Sequence, residues 1–117
     1  MFKQAAAALL FASMLSPAAQ AGGSYDGVWS VSLLTKSGDC DRSVVSQIQI
    51  RDGRVNENLL YARIVGNIGG NGVVSLQVVR GNDSLNAYGT VDGTRASGSW
   101  TAAGRNCTGS WTALKSV

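Results

Sequence analysis

Two copies of one short pattern decide the fold: Ser97-Gly98-Ser99-Trp100-Thr101-Ala102 and, eleven residues later, Thr108-Gly109-Ser110-Trp111-Thr112-Ala113. A third Gly-x-Trp, Gly27-Val28-Trp29, lies much earlier in the chain. Residues two apart in a β-strand point to the same face, so each glycine shares a face with its tryptophan. We therefore expect the indole of one strand to lie over the bare backbone of a neighbouring strand. Three glycines are predicted to be structural for this reason: Gly27, Gly98 and Gly109.

The first 21 residues, Met1 to Ala21, have the features of a secretory signal peptide. Lys3 supplies a positive charge, residues 5–15 are almost entirely apolar, and Ala19-Gln20-Ala21 provides the small-residue cleavage pattern. A membrane-spanning helix needs roughly 20 apolar residues, more than this run offers. We expect cleavage after Ala21, export to the periplasm or the medium, and no membrane association afterwards.

The remaining residues, 22–117, are enough for a single domain. The whole chain has a net charge of +3, and loss of Lys3 with the signal leaves +2. The basic residues are scattered singly from Lys36 to Lys115, without the cluster that a phosphate backbone requires. Nucleic-acid binding is therefore not expected.

Cys40 and Cys107 are the only cysteines. Two cysteines in a small exported domain usually pair, so we predict a structural disulfide between them.

The exported part is predicted to be an all-β antiparallel up-and-down meander of about eight strands, because turn signals punctuate residues of alternating polarity. Asp52-Gly53 and Asp92-Gly93 are typical of two-residue type I′ hairpins, so residues 54–57 should pair back on the second strand. A single long strand over 54–68 is the competing interpretation. The predicted strands span residues 28–35, 42–51, 54–57, 61–68, 73–80, 84–91, 95–103 and 107 onward.

The cysteines favour eight strands over seven. Cys40 follows the first strand, and Cys107 begins the last, so an even count brings both to the same end of the meander. An odd count would place them at opposite ends, too far apart to bond. An even count also lets the first and last strands pair, which closes a small barrel and removes both sheet edges.

Gly27-Val28-Trp29 and Lys115 in this layout resemble the pattern of the calycins, the superfamily that includes lipocalins and avidins. The resemblance implies a barrel in which Trp29 packs across the closed end and the basic side chain from the last strand lies over it. It implies the fold and no particular ligand.

A looser likeness joins Gly27, Trp29 and Cys40 to bacterial periplasmic inhibitors of metalloproteases, which are also small exported barrels. Those inhibitors act through an N-terminal arm that enters the protease cleft. Here only residues 22–25 precede the barrel, a short arm for that purpose.

Catalysis is not expected, because the chain has no histidine and both cysteines are predicted to be bonded. The acidic residues fall mostly in predicted turns, where aspartate satisfies local backbone groups. Asp39 and Asp41 flank Cys40 and could offer oxygens to calcium, but an ordinary polar loop is the favoured interpretation. We predict no enzyme activity, no cofactor and no resident metal.

The aromatic residues bear on whether the barrel interior is filled or holds a ligand. The bulk of three indoles favours a filled interior, whereas the many inward-facing glycines and alanines of the last three strands favour a pocket. The candidate ligand-binding residues are Trp29, Trp100, Trp111 and Tyr88, of which Tyr88 is predicted to face outward.

Two functions follow from these features. One is a monomeric binding module for a small apolar or aromatic ligand. The alternative is a protein-interaction or protease-inhibitor module that acts through surface loops such as residues 36–41 and 69–72.

Overall fold

The structure, a computed structural model, describes residues 25–116. The predicted signal peptide, Met1 to Ala21, lies outside the described residues. Within them the chain forms eight strands and one short 3₁₀ helix, η1. The elements are β1 (Gly27–Ser37), β2 (Ser43–Ile50), β3 (Arg54–Asn58), β4 (Arg63–Ile68), β5 (Val73–Arg80), β6 (Asp83–Asp92), β7 (Arg95–Ala102), η1 (Ala103–Arg105) and β8 (Cys107–Lys115).

The predicted eight-stranded antiparallel meander is confirmed. Each strand from β3 to β7 pairs with the next one in the chain, β1 pairs with β2, and β1 also pairs with β8. Because the first and last strands meet, the sheet curls into a nearly closed barrel. The competing single strand over residues 54–68 is wrong, since the chain turns between Asn58 and Arg63.

The predicted disulfide is also confirmed. Cys40 follows β1, Cys107 opens β8, and their Cα atoms lie 6.2 Å apart. The bond joins the connection between β1 and β2 to the start of the last strand. The even number of strands therefore brings both cysteines to the same end of the barrel, as predicted.

The pairing predicted between the second and third strands forms only beside their turn and is wrong beyond it. β2 and β3 are the two ends of the sheet order and meet only at the bridge Arg51↔Arg54, beside their hairpin turn. Beyond it, the backbone N–H of Gln49 donates to the Glu57 carboxylate at 2.6 Å instead of to a strand carbonyl. β3 contains only one strong strand former, Val55, among Asn, Glu and Arg, which accounts for the weak ladder. The barrel keeps an open seam between β2 and β3, so the sheet edges are not removed.

The two predicted type I′ turns differ. Asp52 and Gly53 both have positive φ, 53° and 72°, as type I′ requires. In the second hairpin Asp92 pairs with Arg95, so the central residues are Gly93 and Thr94, and only Gly93 has positive φ. Positive φ at the first central position alone is typical of type II′, and the type I′ prediction is wrong there.

The core lies inside the barrel and is built from the inward positions of the strands. Its members share an apolar side chain and low exposure, and they come from every strand. The tryptophans are its largest members: Trp29 is 1% exposed, and Trp100 and Trp111 are each 4% exposed. The rest of the buried core consists of Val31, Ile48, Ile50, Val55, Ile64, Ile68, Val74, Ala87, Ala96, Ala102, Cys107 and Ala113.

We predict that replacing both Cys40 and Cys107 by Ser lowers the free energy of unfolding by about 4 kcal/mol, because the bond closes a loop with a sequence separation of 67 residues. Urea denaturation of the variant and of the oxidised wild type measures this difference. The reduced wild type is the control and should match the variant. Equal stability of the oxidised wild type and the variant would contradict the prediction.

Candidate functional site

The repeated Gly-x-Trp patterns form two rows of residues across the interior. Strand register places Trp100 opposite Gly109 and Trp111 opposite Gly98, and it places Gly98 opposite Gly89. Trp100 therefore has Gly109 beside it, and Trp111 has Gly98 and then Gly89. The two rows run in opposite directions around the barrel, one towards β1 and the other towards β6.

The Trp100 indole extends from β7 across β8 to β1. A Cβ added at Gly109 would lie 2.6 Å from Cε2 and Cζ2 of the indole, so only glycine leaves room for the ring. Beyond the glycine, the indole N–H lies 3.2 Å from the Leu34 carbonyl oxygen and 3.1 Å from that of Ser110, and both accept its hydrogen bond. The ring is thus held by packing at its face and by hydrogen bonding at its edge.

The Trp111 indole extends the other way, over β7 to β6. Its Cζ2 would lie 2.6 Å from a Cβ added at Gly89, and its N–H donates to the Tyr88 carbonyl at 3.1 Å. Gly98, between them, has no room for a Cβ either, because the Tyr88 carbonyl oxygen would lie 1.9 Å away. The indole needs both glycines to reach β6.

Trp29 occupies the end of the barrel at which β1 begins and β8 ends, which we call the terminal end. Its N–H donates to the Tyr25 carbonyl at 2.8 Å, and its Cα partners are Ile48 and Lys115. Lys115 is therefore on the same face of the sheet as Trp29, directly opposite it. Gly27 begins β1 with a φ of 137°, in the region that favours glycine.

The interior is filled at this terminal end. The space left there is about 30 Å³, roughly the volume that one water molecule takes in the liquid. Trp29 and Trp111 line it together with aliphatic side chains from seven strands. No organic ligand fits into a space of that size, so these two indoles act as core side chains.

The opposite end of the barrel is open and contains a cavity of about 220 Å³, which we call the disulfide-end cavity. Three connections meet there: β1 to β2, β5 to β6 and β7 to β8. Its lining residues are Leu33, Thr35, Cys40, Asp41, Val44, Val78, Arg80, Asp83, Ser84, Leu85, Trp100, Ala102 and Arg105.

The lining of the disulfide-end cavity is apolar on its strand-borne wall and charged near the chain connections. Trp100, Leu33 and Leu85 come from the inward faces of three strands. Arg105 and Asp83 form an ion pair of 3.9 Å, with each side chain 49% exposed, so this pair contributes little to stability. An apolar pocket with a few charges at its opening suits a small molecule with an apolar body.

The four candidate ligand-binding residues do not come together. Trp100 alone lines the disulfide-end cavity, whereas Trp29 and Trp111 line the small space at the terminal end. Tyr88 is 57% exposed and faces outward on β6. The other residues that line the disulfide-end cavity were not predicted from the sequence. Strand alternation marks the aliphatic ones only as inward-facing, and it gives no position for connection residues such as Asp41 and Arg105.

The two loops named as a protein-contact surface lie at opposite ends of the barrel. Residues 36–41 are beside the disulfide, at the open end. Residues 69–72 form the β4–β5 turn at the terminal end, where the Gly72 carbonyl accepts from the Val91 N–H at 2.8 Å. One compact contact surface therefore cannot use both loops.

Among residues 25–116, no group of three or more His, Cys, Asp or Glu side chains is placed to hold a metal ion. In the same part of the chain, no helix is long and apolar enough to cross a membrane. Comparison with known protein families, with curated proteins and with solved structures finds no match to this chain.

We predict that Gly109→Ala lowers the free energy of unfolding by at least about 2 kcal/mol, since the new methyl group would lie 1.9 Å from the Leu34 carbonyl oxygen and displace the Trp100 indole. Gly70→Ala is the matched control, because nothing lies within 4 Å of a Cβ at that position, and its effect should stay within about 0.5 kcal/mol. Thermal and urea denaturation test both. Equal effects of the two substitutions would contradict the proposed packing.

Proposed function

We propose that this protein is a non-catalytic binding module that holds one small apolar or aromatic ligand in the disulfide-end cavity. The observation that carries the proposal is the uneven filling of the barrel. Its terminal end is packed around Trp29 and Trp111, whereas its other end keeps about 220 Å³ of space beside Trp100. Ligand sites are typically concave, mostly apolar and few in each protein, so a solvent-open space of this kind favours a ligand.

The size and lining of the cavity indicate the class of ligand. Pockets for drug-sized molecules measure about 300–1,000 Å³, so this cavity suits a smaller molecule of one or two rings or a short chain. Leu33, Val78 and Leu85 offer apolar contact, and Arg80 and Asp41 supply charge nearer solvent. A ligand with an apolar body and a small polar end would satisfy both parts.

Trp100 is fixed before any ligand arrives. Because its N–H is already hydrogen-bonded to Leu34 and Ser110, the indole offers the ligand only its apolar surface. A side chain held in this way loses little conformational entropy on binding, which favours affinity. We therefore infer that recognition at Trp100 is by stacking or apolar contact.

Export of the protein is part of the proposal. The disulfide between Cys40 and Cys107 supports an oxidising compartment, either the periplasm or the medium. Native mass spectrometry of protein purified gently from an exporting host would report a bound molecule as extra mass that is lost on activation. The same spectrum gives the mass of the processed chain and so tests cleavage after Ala21.

We predict that Leu85→Trp abolishes binding of 6-propionyl-2-dimethylaminonaphthalene, a two-ring aromatic probe whose fluorescence rises in apolar surroundings. The larger side chain would occupy the disulfide-end cavity, into which half-buried Leu85 points. Leu114→Trp is the control, since Leu114 is 52% exposed on the outer face of β8, and it should bind the probe as the wild type does. Unchanged binding by Leu85→Trp would overturn the proposal.

A second prediction compares probe binding after substitution of Trp100 and of Trp111, the tryptophans of the two repeated patterns. Trp100→Phe should weaken probe binding about threefold to tenfold, because it removes part of the cavity wall. Trp111→Phe loses a comparable indole and its hydrogen bond, but at the filled end, so the affinity should stay within about twofold of the wild type. Fluorescence titration measures both. If Trp111→Phe weakened binding as much as Trp100→Phe, the effect would be a general loss of packing.

A further inference from the structure

The backbone groups of β2 point alternately towards β1 and towards the seam. In an antiparallel ladder, both backbone groups of a residue point to the same neighbour. The Val28 carbonyl accepts from Ser116, on the β8 side, so Val28 does not bond to Gln49 opposite it. At the other end of the ladder, the Thr35 N–H donates to the Arg42 carbonyl. Both observations assign the even-numbered residues of β2 to β1 and the odd-numbered residues to the seam.

Three residues of β2 therefore form what we call the free edge: Ser43, Val45 and Gln47. Their backbone N–H groups have no hydrogen-bond acceptor within residues 25–116, while the next odd-numbered residue, Gln49, is bonded to Glu57. The Gln47 carbonyl receives only the Ser46 hydroxyl, at 3.5 Å. A row of alternating free donors and acceptors is the surface that an added β-strand requires.

The free edge lacks the features that usually prevent strands from adding to one another. Residues 43–50 include no proline, no glycine and no charged side chain. Val45 is 68% exposed on the outer face of the sheet, which adds an apolar contact beside the unpaired backbone. Native sheet edges are commonly protected by Lys, by Pro or by a bulge. β2 contains neither Lys nor Pro.

We propose that the free edge of β2 pairs with the free edge of a second copy of this protein. The two strands would run antiparallel about a twofold axis at Val45. Val45 then lies opposite Val45 of the second copy, and Ser43 lies opposite its Gln47. Each of these pairs can exchange two backbone hydrogen bonds, because all three residues point their backbone groups outward.

A second copy fits this edge because the edge is complementary to itself. Reversing the strand about Val45 places no charge opposite a like charge and leaves the hydroxyl of Ser43 beside the amide of Gln47. The protein's own β3 offers only Asn56 and Asn58 to the seam and is separated from β2 beyond its turn. Pairing of β2 with β3 of another copy would repeat without closing, whereas the twofold arrangement closes as a dimer.

Val45→Pro tests the proposal at a single hydrogen-bond donor. Proline removes the Val45 N–H, which makes no bond within the described chain, so the ladder between β2 and β1 is retained. Two donors would be lost from each dimer, and we expect its dissociation constant to rise at least about tenfold. Sedimentation velocity over a concentration series, with native mass spectrometry, measures the fraction of dimer.

Val45→Lys provides a second variant that does not depend on tolerance of proline. It would place two ammonium groups opposite each other at the twofold axis and should also give monomer. The matched control is Leu114→Lys, an outward position of similar exposure on β8, which is paired on both sides, and it should remain dimeric. Thermal denaturation verifies that each variant is folded.

Concentration-dependent protection of the Val45 and Gln47 amides from hydrogen exchange is the expected signature in the wild type. A wild type that stays monomeric at every concentration would overturn the proposal. So would a dimer that persists in both Val45 variants, or a foreign polypeptide at this edge in place of the second copy. Val45 is exposed and does not line the disulfide-end cavity, so probe binding by the Val45→Lys variant distinguishes loss of the dimer from loss of the ligand site.

Discussion

Closure of this barrel depends on an indole that crosses one strand to reach the next. Trp100 extends from β7 over Gly109 of β8 and donates to the Leu34 carbonyl of β1. One side chain thus ties together the last two strands and the first, at the place where the chain must join residues far apart in sequence. Pairing of such distant strands carries a loop-closure cost, which the disulfide between Cys40 and Cys107 reduces at the same end of the barrel.

The directions of the indoles explain why only one end of the barrel is filled. Trp29 and Trp111 place their rings within the terminal half, and Trp100 lies flat against the wall over a glycine. At the disulfide end the inward positions are held by medium-sized aliphatic and short polar side chains such as Leu85 and Thr35, which do not meet across the interior. The cavity is therefore a consequence of the same Gly-Trp packing that closes the sheet.

Because β1 pairs with β8, the break in the hydrogen-bonded sheet lies at the seam between β2 and β3. Carboxylates accept hydrogen bonds from backbone N–H groups near this seam. Asp26 accepts from Asp52 and Gly53, at 2.8 and 3.1 Å. Glu57 accepts from Gln49. These bonds hold the seam near its turn and leave the far part of β2 unpaired. The ligand cavity and the proposed dimer edge thus arise from separate parts of one barrel.

The sequence by itself determined the strand count, the meander order, the disulfide and the inward face of nearly every strand, because alternation, turn residues and two cysteines are local or simply countable signals. It also indicated that Gly98 and Gly109 would accommodate indoles. Only the tertiary structure decided that Trp100 is separated from Trp29 and Trp111, that Gly93 rather than Asp92 begins the second hairpin turn, and that β3 leaves β2. Those outcomes depend on the direction in which each ring extends and on competition between neighbouring strands, which no local pattern of residues specifies.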